Sequence, residues 1–230
     1  MNINLQENQQ LWFTSDTHYN HKNICSSTTE WTTQDHTRKF SSLDEMNMTL
    51  INGINNHVST DDILIHLGDW SFGGFDSIKE FRDRINCKNI HLVLGNHDHH
   101  IDKDKKGIRS LFNSVHQYLQ LTVTRITHPI FGGKIIDNFV CMHYPLASWN
   151  NMKDGVIHLH GHTHLSNNIR MNEGKHIDVG VDGNDFEPIN MKDIIIMMDK
   201  QPITSLSLKQ DHHSRKTQVK INPINSQYGC

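Results

Sequence analysis

No stretch of this sequence approaches the ~18 consecutive apolar residues that a membrane-spanning helix needs, which excludes that class of protein. Its start, "MNINLQENQQ", lacks a charged segment leading into an apolar run and lacks a small-residue cleavage site, so no secretory signal is read there. Cysteine is scarce. Cys25, Cys87, Cys141 and Cys230 lie far apart with no CxxC pair, which excludes a small disulfide scaffold and a thiolate zinc or redox motif. Neither sign of charge dominates: 22 Lys plus Arg stand against 25 Asp plus Glu, for a formal net charge of -3. That balance argues against an extended platform for duplex DNA and leaves room for a small nucleotide or a short strand in one pocket. The expectation is a soluble, cytoplasmic protein, and nothing in the chain specifies an oligomeric state.

With 230 residues, the chain suits one α/β domain over residues 1–200 and a polar, flexible or peripheral tail over 201–230. What it has in excess is histidine, 19 in all. His99, His100, His212 and His213 read as solvated polar runs. The others need their positions explained.

Five short apolar runs each end abruptly in polar residues able to bind a metal. They are "LWFTSDTH" (11–18), "DILIHLGDW" (62–70), "NIHLVLGNHD" (89–98), "NFVCMHYP" (138–145) and "VIHLHGHTH" (156–164). Runs of this length and composition read as buried strands, and the C-terminal ends of strands are where open α/β sheets form ligand crevices. Between them, Ser42 and Glu45 make an S-x-x-E capping box ahead of Leu43, Met46, Leu50, Ile54 and Val58, predicting a helix. Asp76 is expected to cap a second, shorter helix carrying Ile78, Phe81 and Ile85. The 100–140 stretch predicts a short helix near 108–112 and strands of a second sheet, and "HIDVGVDGNDFEPINMKDIIIMMDK" reads as closing strands around a loop.

On an extended strand Asp16 and His18 would share a face, as would His162 and His164, while Thr17 would point away. Adding Asp69, Asn96 and His143 gives an inventory of oxygen and imidazole donors without thiolate. It suits Mn²⁺, Fe, Zn²⁺, Ni²⁺ or Co²⁺ better than an all-oxygen calcium cage. The set is too large for one catalytic ion and suits two divalent ions sharing a carboxylate. Two dications facing only two carboxylates keep net positive charge, so anionic oxygen, as in a phosphate ester, is the favoured guest.

In order, "DTH", "GDW", "GNHD", "HYP" and "GHTH" resemble the D-x-H, G-D, G-N-H-D/E, H and G-H-x-H blocks of the calcineurin-like metallophosphoesterases, over about residues 11–187. "FTSDTHYNHKNI", "HYPLASW" and "VGVDGNDFEPINMKDI" are similar to short bacterial and bacteriophage members. The resemblance implies a four-layer α/β/β/α sandwich of two mixed β-sheets flanked by helices. It implies that Asp16, His18, Asp69 and His164 hold one metal and that Asp69, Asn96, His143 and His162 hold the other, manganese being the first choice. It also implies that His97 stabilises the transition state or protonates the leaving oxygen. Asp98 either orients the His97 ring or caps a loop. His158 and His160 read as structural.

There are departures from the family pattern. "GDWSFGG" lacks the further Asp or Arg that many relatives carry after G-D. Asn20, His21 and Asn23 either face the substrate or shape a loop, and Trp149 either stacks on a base or packs in the core. The function implied is metal-dependent hydrolysis of phosphate esters, first a phosphodiesterase on nucleotide-type substrates. The alternatives are a phosphomonoesterase, a nuclease, and an inactive scaffold of the same fold.

Overall fold

The computed structural model describes residues 1–126, 133–165 and 173–203. The expected tail from 204 onward, with His212 and His213, lies outside them. Among the described residues, ten strands form two five-stranded sheets. The first sheet orders β10 (Ile189–Asn190), β2 (Leu11–Thr14), β3 (Ile63–His66), β4 (Asn89–Val93) and β5 (Ser114–His116), all parallel except β10. The second orders β1 (Asn2–Asn4), β6 (Leu119–Ile126), β7 (Lys134–Cys141), β8 (Ile157–His160) and β9 (His176–Asp178) and is mixed, with β6 and β7 antiparallel.

Strand alternation explains the layers. Phe13, Ile63, Ile65 and Leu67 from the first sheet meet Leu121, Val123, Phe139 and Leu159 from the second in one core. Leu64, Ile90 and Leu92, on the other face of the first sheet, meet α1 (Leu43–His57) and α2 (Gly74–Arg84) through Ile51, Ile54, Ile78 and Phe81. On the outer face of the second sheet, Val140 is covered by Trp149 and Met152. Trp149 is buried and its indole N–H donates to the Val156 carbonyl at 2.8 Å, so of its two readings the packed one holds.

Helix α1 begins as its capping pattern predicts, with Ser42 accepting the Glu45 amide at 3.0 Å. The reciprocal bond lands one residue early, because the Glu45 carboxylate takes the Ser41 amide at 2.8 Å. Asp76 does not cap α2. The helix starts at Gly74 behind Gly73 at φ 100, leaving Asp76 in the first turn, where its charge suits the helix dipole.

The short helix expected near 108–112 is a 3-10 helix, Lys105–Leu111, preceded by the short α3 (His99–Asp102). Two further expectations are corrected. Strand β5 joins the edge of the first sheet rather than the second. "MKDIIIMMD" is α4 (Met191–Asp199), since Met191, Ile194 and Met198 are buried at helical spacing and Asn190 caps the Lys192 amide at 2.9 Å. Among the described residues no helix is long and apolar enough to cross a membrane.

Candidate metal centre

The loops leaving β2, β3, β4, β7 and β8 converge along the edge between the sheets. Asp16, His18, Asp69 and His143 form a buried floor, and Asn96, His97, His162 and His164 an exposed rim. Each strand stops short of its polar cluster, so neither Asp16 with His18 nor His162 with His164 shares a strand face. Instead Asp16, His18, Asp69, His162 and His164 have φ of 56, 47, 57, 71 and 51°, a left-handed backbone that costs each non-glycine residue roughly 1–2 kcal/mol. The surrounding amides hold it in place: Asp16 N–H donates to Gly68 O and His18 N–H to Asp69 O, both at 2.9 Å.

The polar atoms face one another. Asp69 Oδ2 lies 3.5 Å from both His18 Nε2 and His143 Nε2, and its Oδ1 accepts the His97 amide at 2.8 Å. Asp16 Oδ1 stands 3.8 Å from His18 Nε2 and from His164 Nε2. Asn96 Oδ1 lies 3.0 Å from His143 Nε2 and 2.9 Å from His162 Nδ1. Two sets could each hold an ion: Asp16, His18 and His164, and Asp16, Asp69 and His143, with donor atoms in each set within 4.8 Å of one another.

Several observations fit a cation there. Asp16 Oδ1 is buried without a hydrogen-bond partner. Burial pushes the Asp16 carboxyl up to about 7, opposed by His164 and a hydrogen bond from Ser15 and reinforced by Asp69. Such a buried acidic pair calls for compensating positive charge. Burial also holds the imidazole of His18 well below its ordinary value, and the charges of Arg38 and His164 act the same way, favouring the neutral ring that metals bind. The hydrogen bonds that orient the rings expose the right nitrogens. His143 Nδ1 donates to Leu67 O at 2.8 Å and His164 Nδ1 to Asp182 at 2.7 Å, leaving each Nε2 lone pair toward the carboxylates.

The motif glycines have a spatial cause. A methyl group at Gly95 would land on Asp69 Oδ1, and one at Gly161 on Asp16 Oδ2 and Ser15 Oγ. Thr17 turns away from the centre, as expected, to meet buried His66 Nε2 at 2.9 Å and donate to Trp70 O at 2.7 Å.

Asp98 takes the loop role rather than holding His97. Its carboxylate accepts the amides of Asp69 at 2.8 Å, Trp70 at 2.9 Å and Gly95 at 2.8 Å, pinning the β3 and β4 loops together. The ring of His97 instead contacts Phe72 and His18, with centroids at 4.8 and 5.4 Å. Asn23 shapes the loop, its side-chain oxygen accepting the Glu30 amide at 3.1 Å, while at Asn20 it is the backbone N–H that donates to the Asn47 side chain at 2.9 Å. His158 is structural, bonded to Val140 O at 3.0 Å and accepting the Leu146 amide at 3.1 Å. His160 is equally buried, 3.2 Å from His176.

Sequence reasoning missed Arg38 and Asp182. Buried Arg38 bonds Asp182 through Nε at 2.8 Å and a terminal nitrogen at 2.7 Å, and donates to the carbonyls of Thr17 at 2.8 Å and Asp16 at 2.6 Å. Burial opposes ionisation of Asp182, but the Arg38 charge and hydrogen bonds from His164 and Arg38 outweigh it and hold the carboxyl well below the usual range. The signal available was Asp182 within "VGVDGND"; Arg38 lies in a polar loop with no periodicity to mark it.

Two mixed sheets flanked by helices, with a cluster of potential metal donors at their shared edge, make the metallophosphoesterase fold. The calcineurin-like phosphoesterase family profile matches residues 10–197, and the chain belongs to that family, whose members generally depend on two metal ions. It is 31% identical over 200 residues to the gene 66 protein of Mycobacterium phage D29, covering 78% of this chain and 92% of that one. It is 29% identical over 197 residues to an uncharacterized protein of Methanocaldococcus jannaschii, covering 84% and 93%. A crystal structure of a protein of unknown function from Aquifex aeolicus shares the fold at a TM-score of 0.56 and 23% identity, covering 83% of this chain and all of that one.

Proposed function

We propose that this protein is a phosphoesterase dependent on two metal ions, acting as a phosphodiesterase on nucleotide-type substrates. The observation that carries the reading is the position of Asp69 Oδ2, 3.5 Å from the Nε2 atoms of both His18 and His143, within a floor whose rim is open to solvent. In this reading Asp16, His18, Asp69 and His164 hold one ion and Asp69, Asn96, His143 and His162 the other, with Asp69 shared. Two divalent transition-metal ions, manganese first among them and Fe, Zn, Ni or Co as alternatives, would supply a water acidified near neutral pH and charge neutralisation for the phosphoryl oxygens.

The chain's own residues do the rest. The Leu67 carbonyl fixes the His143 ring, and Asp182, itself held by Arg38, fixes the His164 ring. His97, on the rim beside Asn96, would either stabilise the charge of the transition state or, as imidazolium, protonate the leaving ester oxygen. The open rim favours a diester, whose second substituent needs space beyond the phosphate. Residues 1–200 constitute the catalytic domain, working in the cytoplasm of the cell that makes it, or of the host if the chain is phage-encoded.

A hydrolysis panel tests this. The protein, loaded with Mn²⁺, Ni²⁺, Zn²⁺ or Mg²⁺, is given chromogenic monoesters and diesters, cyclic nucleotides and single-stranded oligonucleotides. Metal-dependent turnover fastest on diesters is the expected result. Preference for monoesters would move the assignment to a phosphomonoesterase, and no turnover of any ester would leave a scaffold.

A further inference from the structure

Where many relatives carry a polar residue after G-D, this chain places Phe72, and Phe72 belongs to a row of rings. Its centroid is 5.6 Å from His18, 4.8 Å from His97 and 3.7 Å from His21, and His21 is 6.0 Å from Trp31. Trp70 and Trp149 are buried, but Trp31 is 44% exposed. An exposed indole on a loop beside a candidate centre is poised for a ligand rather than for the core.

The same indole lines a pocket of about 640 Å³. Asp35, His36 and Phe186 form other walls, and His164 and Asp182 bring it to the metal centre. That volume is in the range of small-molecule sites and suits a nucleoside-sized group. The loop carrying Trp31 is tied to the centre at its base. Arg38 N–H donates to Ile24 O at 2.6 Å and Ser26 N–H to Arg38 O at 2.9 Å, while the Arg38 side chain bonds Asp182 and the carbonyls of Asp16 and Thr17.

We propose that Trp31, with His21 and Phe72 behind it, is a stacking wall for the nucleobase of the phosphate ester whose phosphate sits at the metal centre. This rests on the phosphoesterase reading above and names the part of the substrate that the pocket reads. The charges favour a base over a second phosphate. The guanidinium of Arg38 is committed to Asp182 and to carbonyls, and Asp35 on the wall repels an anion. A planar heteroaromatic ring needs neither; it needs a π-face and neutral hydrogen-bond partners.

The test is binding of adenosine and thymidine 5′-monophosphates against ribose 5-phosphate, which has the sugar and phosphate but no base. Affinities to the manganese-loaded protein are measured by calorimetry and by tryptophan fluorescence. The parent should bind both nucleotides at least about ten-fold more tightly than the sugar phosphate, with quenching, the size of one base–aromatic stack. Trp31→Ala, checked for parental metal content and circular dichroism, should lose that preference and the quenching, and Trp31→Phe should recover most of the preference. Equal binding of nucleotide and sugar phosphate by the parent, or a preference that survives in Trp31→Ala, overturns the wall. The phosphoesterase reading fails separately, by absence of turnover in the ester panel, whatever these affinities are.

Discussion

The Nε2 atoms of His18 and His164 face each other at 3.2 Å. Two imidazole nitrogens bound at about 2.1 Å to one ion, at tetrahedral to octahedral angles, stand ~3.0 to 3.4 Å apart. The pair therefore has the spacing of two neighbouring ligands on one cation, with Asp16 Oδ1 at 3.8 Å from each ring nitrogen as a third donor.

The proposed sharing of Asp69 predicts the metal stoichiometry, since its Oδ2 lies 3.5 Å from both His18 Nε2 and His143 Nε2. Protein stripped with a chelator and reloaded with Mn²⁺ or Co²⁺ should hold two ions per chain by elemental analysis. Asp69→Asn should hold one or fewer and lose hydrolysis. Two ions retained at parental affinity would remove Asp69 from the shared position.

His97→Ala should keep both ions, because the ring lies on the exposed rim and touches Phe72 and His18 rather than a carboxylate. Turnover should fall by about 10²–10⁴-fold, the usual contribution of a general acid. The fall should shrink for esters whose leaving group needs no proton. Loss of metal in parallel with rate would instead make His97 a positioning group.

Removing Arg38 leaves the Asp182 carboxylate mostly buried without its cation. Arg38→Ala should destabilise the fold by about 3 kcal/mol in urea unfolding and weaken metal binding, because His164 loses its anchor. Arg38→Lys should recover only part, since one ammonium cannot make the forked contact to Asp182 while also reaching the carbonyls of Asp16 and Thr17. Parental stability in Arg38→Ala would contradict the account.

Stability should fall on acidification through His158. Burial, reinforced by the nearby charges of His160 and His176, lowers its folded value to about 3 from an ordinary 6.5, against hydrogen bonding to Val140 O. The unfolded state therefore binds the proton first, so the stabilisation is fully present above about pH 6.5 and is lost as pH falls toward 3. At pH 5 the loss from this group is about 2 kcal/mol. Urea midpoints at pH 7 and pH 5 measure it, and His158→Gln should flatten the slope; an unchanged slope would assign the acid sensitivity to other groups.

Much of the fold, and which side chains gather at the sheet edge, was legible because strands, caps and the polar blocks after them are local in sequence. Five apolar runs ending in Asp, Asn or His announced five strand ends, and Ser42 with Glu45 announced α1. The misreadings share a cause. "DIIIMMD" has a strand's composition but helical burial, and the choice was made by the core that Met191, Ile194 and Met198 enter. Asp98 beside His97 looked like a ring partner, yet the backbone folds its carboxylate back onto the amides of Asp69, Trp70 and Gly95.

By itself, then, the order of residues determined which candidate donors exist and that each follows a buried strand, since residue chemistry and hydrophobic period are local properties. Only tertiary structure decided how those donors meet. The left-handed turns at Asp16, Asp69 and His162 lie beyond the strand ends and aim their side chains at a common point that strand-face alternation does not specify. The pairing of Arg38 with Asp182, 144 residues distant, arises from packing that no local pattern encodes.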